Sequence, residues 1–276
     1  MVTQKDHGDE PSVASDPWSD FLGEVLGTFL MCFLGIGAVA TATLYEAHNG
    51  PYQIGMIWGL AIMIGIYMTR NLSAAHFNPA VTFAMCLSGR CAWKNFPIYV
   101  AGQFVGAILG SGTLWLFFMD TVKEQLAEVT NGMAQATPAS SIWLEVFPNT
   151  PNGVVSLWTA GFAEALGVGI LVLVIFSMTE GCNLGRPSFD LFPIFIGLTI
   201  AGLIGTIGPM TNAGLNPARD LGPRLVGYLA GFTAPNFTLA NLFVYTLCPL
   251  IGAAVGVLIF RYIIEPRQNF KNTCCC

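Results

Sequence analysis

Charge is what this sequence has least of. Asp, Glu, Lys and Arg together make up 10% of its 276 residues, against roughly 25% in an ordinary soluble domain. The stretches 25–45, 154–178 and 191–212 carry a single Glu or no charge at all. Hydrophobic residues make up 54%, and a soluble chain this apolar would expose large apolar patches. Histidine is scarce too, with only His7, His48 and His76. No CxxC pair, no Cys/His metal spacing, no nucleophile–base pair and no phosphate loop is present, which argues against an enzyme, a metal or a cofactor. No basic region precedes the first apolar run, so a cleaved signal peptide is not expected. A nucleic-acid partner is not expected either.

Eight cysteines are present, but Cys32, Cys86 and Cys248 lie in apolar segments, where free Cys behaves as a small hydrophobe. Cys91 and Cys182 fall in short loops. The terminal Cys274-Cys275-Cys276 is a candidate for palmitoylation.

What the chain does have is long apolar runs. About 20 apolar residues in a helix match the ~30 Å hydrocarbon layer of a bilayer. Six spans are expected at 19–42, 54–70, 96–119, 156–178, 190–208 and 241–263. Two further apolar segments, 71–90 and 209–230, are too interrupted by Gly, Pro and Asn to cross. The connection 120–155, with Pro138, Pro148 and Pro151, reads as an exposed outer loop. The tails 1–18 and 264–276 flank a channel domain at 19–263. With both termini inside, eight of the eleven Lys and Arg residues are cytoplasmic, which favours that orientation.

The two halves repeat each other. Gly23-Glu24-Val25-Leu26-Gly27 opens the first span, and Ala163-Glu164-Ala165-Leu166-Gly167 sits in the fourth. Asn78 follows Glu24 by 54 residues, and Asn216 follows Glu164 by 52; each asparagine begins Asn-Pro-Ala. Gly102, Gly106 and Gly110 space the third span, and Gly252 and Gly256 the sixth, as small residues do where helices pack closely in lipid. An odd number of spans per half inverts the second relative to the first. The fold class expected is all-α: six transmembrane helices plus two re-entrant half-helices in an inverted repeat, with the site at mid-membrane.

The motif's parts predict its chemistry. Pro79 and Pro217 suit the first helical position, which makes Asn78 and Asn216 the N-caps. Each amide oxygen then serves its helix and leaves an NH₂ as donor. Two half-helices meeting N-terminus to N-terminus place partial positive charge there. Such a point accepts a neutral oxygen and repels a cation. The irregular backbone before each motif (73–77 and 212–215) is tolerable in a membrane only along a wet path. Carbonyls of Ala75, His76, Phe77, Asn212, Gly214 and Leu215 are its expected lining. Glu24 and Glu164, matched in the repeat, read as acceptors for the loops' N–H groups, and His76 as packed in preference to a titrating gate.

Leu72-Ser73-Ala74-Ala75-His76-Phe77-Asn78-Pro79-Ala80-Val81-Thr82 and Leu215-Asn216-Pro217-Ala218-Arg219-Asp220 resemble the two pore loops of the aquaporin family. The similarity spans about 19–263. Asp220 after the Asn-Pro-Ala-Arg run, the long loop 120–155 and the extended segment after Arg219 resemble the glycerol-conducting branch. The resemblance implies a passive channel for water and glycerol, with urea a further candidate, in the plasma membrane as a homotetramer. It also implies an outer selectivity filter made by Arg219, Trp58, Ala213 and either Ile204 or Gly205. Trp58 by itself reads as an interfacial belt residue. Ala213 departs from the pattern, since glycerol channels commonly hold an aromatic there and many water channels a Cys. Arg219, embedded in the membrane, is expected to face a cavity, and Arg224 to be interfacial. A water-selective pore, which generally has a fifth-span His, and a secondary transporter are the alternatives. Asn236-Phe237-Thr238 is a candidate glycosylation site, whereas Asn71-Leu72-Ser73, on the inner side, should stay unmodified.

Overall fold

A computed structural model of the chain describes residues 16–129, 141–147, 154–232 and 237–269. Among these the structure is helical: α1 (Pro17–Tyr45), α2 (Pro51–Thr69), α3 (Pro79–Leu87), α4 (Phe96–Val129), α5 (Leu157–Thr179), α6 (Phe192–Thr211), α7 (Pro217–Leu229), α8 (Leu239–Leu242), α9 (Cys248–Ile259) and α10 (Glu265–Asn269). Two π-helical turns, Phe243–Leu247 and Phe260–Ile264, join α8, α9 and α10 into one long rod. Among the described residues six helical segments are long and apolar enough to span a bilayer, the last running Leu239–Arg267. Leu60, Leu109, Phe117, Phe162 and Leu258 project apolar side chains outward, as expected of helices solvated by lipid.

Helix pairing follows the sequence repeat. In the first half α1 packs on α4 and α2; in the second α5 packs on α9 and α6. The short helices cross over: α7 packs on α4 and α3 on α9, and α2 meets α6 between the halves. Glycine makes these approaches close. A Cβ on Gly106 would lie 2.4 Å from the Val25 carbonyl oxygen, and one on the equivalent Gly252 would lie 1.9 Å from that of Ala165. Without a hydrophobic drive between helices in lipid, such backbone contact supplies the packing energy.

Three expectations need correction. The third span's helix runs on to Val129 instead of ending near 119. The segment 141–147 is not an exposed loop: Ile142, Trp143, Leu144 and Glu145 are at most 2% exposed. Trp143 donates from Nε1 to the Ser111 carbonyl and stacks on Phe232. The fifth span continues through Pro209 to Thr211, so Asn212 is the left-handed C-cap of α6, its N–H bonded to Gly208. Asn236, Cys274, Cys275, Cys276 and most of the tail 1–18 lie outside the described residues.

Candidate functional site

Asn78 and Asn216 are the N-caps of α3 and α7, and Pro79 and Pro217 open those helices. Asn78 Oδ1 accepts from Ala80 N–H at 2.9 Å; Asn216 Oδ1 accepts from Ala218 and Arg219 N–H at 3.0 and 3.2 Å. Each amide also reaches across. Asn78 Nδ2 donates to the Leu215 carbonyl at 2.9 Å, and Asn216 Nδ2 to the Phe77 carbonyl at 2.7 Å. The two half-helices therefore meet N-terminus to N-terminus, locked by a reciprocal pair of bonds. Both carbonyls are among those expected to line the path; each gives one lone pair to the opposite asparagine and keeps the other. An amide has two N–H donors, so each asparagine keeps one for another acceptor.

The backbone before each motif is held in an unusual form. Ala75 and Phe77 have φ of 54° and 52°, and Ala213 and Leu215 have 53° and 54°. None is glycine, so each left-handed residue costs about 1 kcal/mol or more. Glu24 and Glu164 offset that cost. Glu24 accepts from His76 and Phe77 N–H at 2.9 and 2.7 Å, and from Ser73 Oγ and Gln103 Nε2. Glu164 accepts from Gly214 and Leu215 N–H at 3.0 and 2.6 Å, and from Thr211 Oγ1. Both carboxylates are fully buried. With the N–H groups of 76–77 and 214–215 turned toward these acids, the loops' carbonyls are left for the other side. His76 packs on Tyr99, and its Nδ1 lies 3.2 Å from Thr82 Oγ1.

A second cluster surrounds Arg219. Its guanidinium lies over the Trp58 ring, 4.6 Å from the centroid. Trp58 is 4% exposed and fills the space left by Gly35, where a Cβ would come within 2.2 Å of the ring. The belt reading of Trp58 is thereby excluded. Ala213 and Ile204 belong to the same apolar cluster as Trp58. Ile204 packs against Gly55, one turn before Trp58, whereas a Cβ on Gly205 would meet only Tyr52, at 3.8 Å. Arg219 Nη1 pairs with the carboxylate of Glu145, a residue the sequence did not point to. The apolar triplet Ile142-Trp143-Leu144 inside an otherwise polar loop was the available signal. Asp220 pairs with Arg224, which is 1% exposed and not interfacial; their i, i+4 spacing could have shown this.

Comparison with known proteins agrees with this architecture. The family described as "MIP: Major intrinsic protein" matches residues 12–260. The chain is 35% identical over 259 residues to aquaporin-9 of Homo sapiens, covering 91% of this chain and 86% of that protein. It is also 35% identical over 242 residues to the glycerol uptake facilitator protein of Escherichia coli strain K12, covering 86% and 84% respectively. Among solved structures, the aquaglyceroporin from Plasmodium falciparum superposes with a TM-score of 0.80 at 28% identity, covering 92% of this chain and 100% of that one. Two inverted halves, capped asparagines bonded across the centre and a match over most of the chain make this protein a multi-pass membrane channel of the major intrinsic protein family.

Proposed function

We propose that this channel passes water and glycerol by passive diffusion while excluding protons and ions. The observation that carries the reading is the sidedness of the Arg219 cluster. Arg219 supplies donors and the Trp58 ring supplies apolar surface beside it, with Ile204, packed at Gly55 one turn before Trp58, and the small Ala213 assigned to the same wall in this reading. Glycerol has a row of hydroxyls along one edge and carbons along the other, and a passage with one polar and one apolar wall fits both. Ile204 takes the fifth-span filter position in this reading, because it, unlike Gly205, packs beside Trp58's helix at Gly55. Ala213 is small, which leaves width for a carbon chain.

Exclusion follows from the centre. Two helix N-termini and two amide donors make the midplane positive and donor-rich, a means of rejecting cations established for aquaporin-type pores. A water there accepts from the asparagines and finds no titratable partner. Relatives bearing the names aquaporin-9 and glycerol uptake facilitator protein support water and glycerol as solutes. Urea is a further candidate. A homotetramer in the plasma membrane with both termini cytoplasmic completes the reading, supported by family likeness and by the Lys/Arg bias.

Purified protein in liposomes tests this by stopped-flow light scattering. Osmotic shrinkage and glycerol entry should both accelerate, without saturating, while an imposed pH gradient persists. Rapid decay of that gradient, or saturable glycerol entry, would overturn the proposal.

A further inference from the structure

Burying a guanidinium is costly unless its charge is paired, and Arg224 has been buried almost completely. Its Nη2 bonds the Asp220 carboxylate and, at 2.9 Å, the backbone carbonyl of Glu145. Among the described residues Nε and Nη1 find no hydrogen-bond partner. The directional bonding seen there passes through one nitrogen, and one of its two acceptors is the main chain of the residue that meets Arg219.

Glu145 is gripped at two points. Arg219 holds its side chain and Arg224 its main chain, and both arginines stand on α7. Two residues earlier, Trp143 anchors the same segment against Ser111 and Phe232. The anchor at Trp143 brings the segment down; the bond from Arg224 fixes the residue that carries the carboxylate. Asp220 and the Tyr245 ring, 5.8 Å from the guanidinium, also face Arg224.

We propose that Arg224 is a positioning residue for selectivity: by clamping the Glu145 carbonyl to the second half-helix, it keeps the Glu145 carboxylate on Arg219 and so sets how tightly Arg219 holds a passing hydroxyl. The proposal rests on the reading of Arg219 as a filter residue. A guanidinium relieved of its carboxylate has its Nη1 donors free and its charge no longer neutralised, so it holds a neutral oxygen more tightly through the charge-assisted bonds that are the stronger kind. Water, whose passage depends on exchanging such bonds quickly, slows more than glycerol, which the apolar wall also supports.

The test measures water and glycerol permeability on the same liposomes for R224M, R224K, E145Q and the E145Q/R224M double variant. R224M should lower the water-to-glycerol ratio about fivefold, and E145Q by a similar factor. The double variant should fall no further than either single change, because both act through one contact. R224K should recover at least half of the ratio, since the wild-type bonding uses a single nitrogen. If R224M does not fold with Asp220 left unpaired, D220N/R224M keeps the charges balanced and should show the same fall. A wild-type ratio in R224M or D220N/R224M, or effects of R224M and E145Q that multiply in the double variant, would overturn the proposal. R219K separates the two levels. If it too leaves the ratio unchanged, the filter reading itself fails; if it shifts the ratio while R224M does not, only the role of Arg224 fails.

Discussion

Five residues before its asparagine, the first pore loop has Ser73 and the second has Thr211, and each hydroxyl bonds the glutamate of its own half. Three and one residues before, each loop turns left-handed. Tyr99 and Tyr245 sit at matching places in α4 and in the π-helical turn before α9. Tyr99 accepts from Ala74 N–H, and Tyr245 donates to the Thr211 carbonyl. Beyond the asparagines the loops diverge. Val81 and Thr82 follow in the first, where Arg219 and Asp220 follow in the second. Gln103 supports Glu24, but the equivalent place in the other half is Pro249, which has no side-chain donor. The shared features make the break in the membrane; the unshared ones place a buried, paired arginine on one side of it only. In the function proposed above, selectivity is thus an addition to a scaffold that both halves possess.

The largest effects should come from breaking what is shared. Glu24→Ala strands four donors and Glu164→Ala three. At about 1–3 kcal/mol for each buried donor left unpaired, both variants should lose folded protein, Glu24→Ala more severely. Thermal melting with size-exclusion chromatography in detergent checks the order; equal, mild losses would mean the loops hold themselves.

Next come changes around Arg219. Arg219→Val leaves the Glu145 carboxylate unpaired and should raise cation leak about tenfold or more, while Arg219→Val with Glu145→Gln should return most of the barrier. Ion flux in potassium-loaded liposomes distinguishes this from a barrier set by Arg219 alone, in which the double variant leaks as much as the single one.

A subtler test swaps one residue at matched positions. Ala213→Phe should reduce glycerol flux about tenfold but water flux far less, as overpacking beside a narrow filter costs about 1–3 kcal/mol. Ala75→Phe, on the side without an arginine, should not separate the two solutes. Similar solute ratios in both variants would show that the filter does not lie at Ala213. The smallest effect is reserved for Gln103→Leu. Losing its bonds to Glu24 and Thr82 should cost about 1–2 kcal/mol, a few degrees of melting temperature, with the solute ratio unchanged.

How much of this was legible in the sequence depends on how local the cause was. Spans, capped asparagines and matched glutamates follow from periodicity, a Pro at the first helical position and repeat spacing, all contained within short windows. The left-handed residues were hidden because Ala, Phe and Leu have no intrinsic preference for that conformation; distant carboxylates impose it. The crossed amide bonds join residues 137 and 139 positions apart, which no window reports. Glu145 was missed because its short apolar segment lies inside a connection whose polar residues and prolines read as solvent-exposed. Only docking against Ser111, Phe232 and Arg224 makes it part of the site.

Arg219, Arg224, Asp220 and Glu145 together carry two positive and two negative formal charges in one buried group. Such a set has short-range donors but almost no field beyond the next few ångströms. An unbalanced arginine at the mouth would attract anions over a distance governed by the Debye length, about 8 Å at physiological ionic strength. By itself this group steers nothing in and pushes nothing away until contact. This group therefore adds no long-range attraction for anions, and discrimination beside it rests on desolvation and fit.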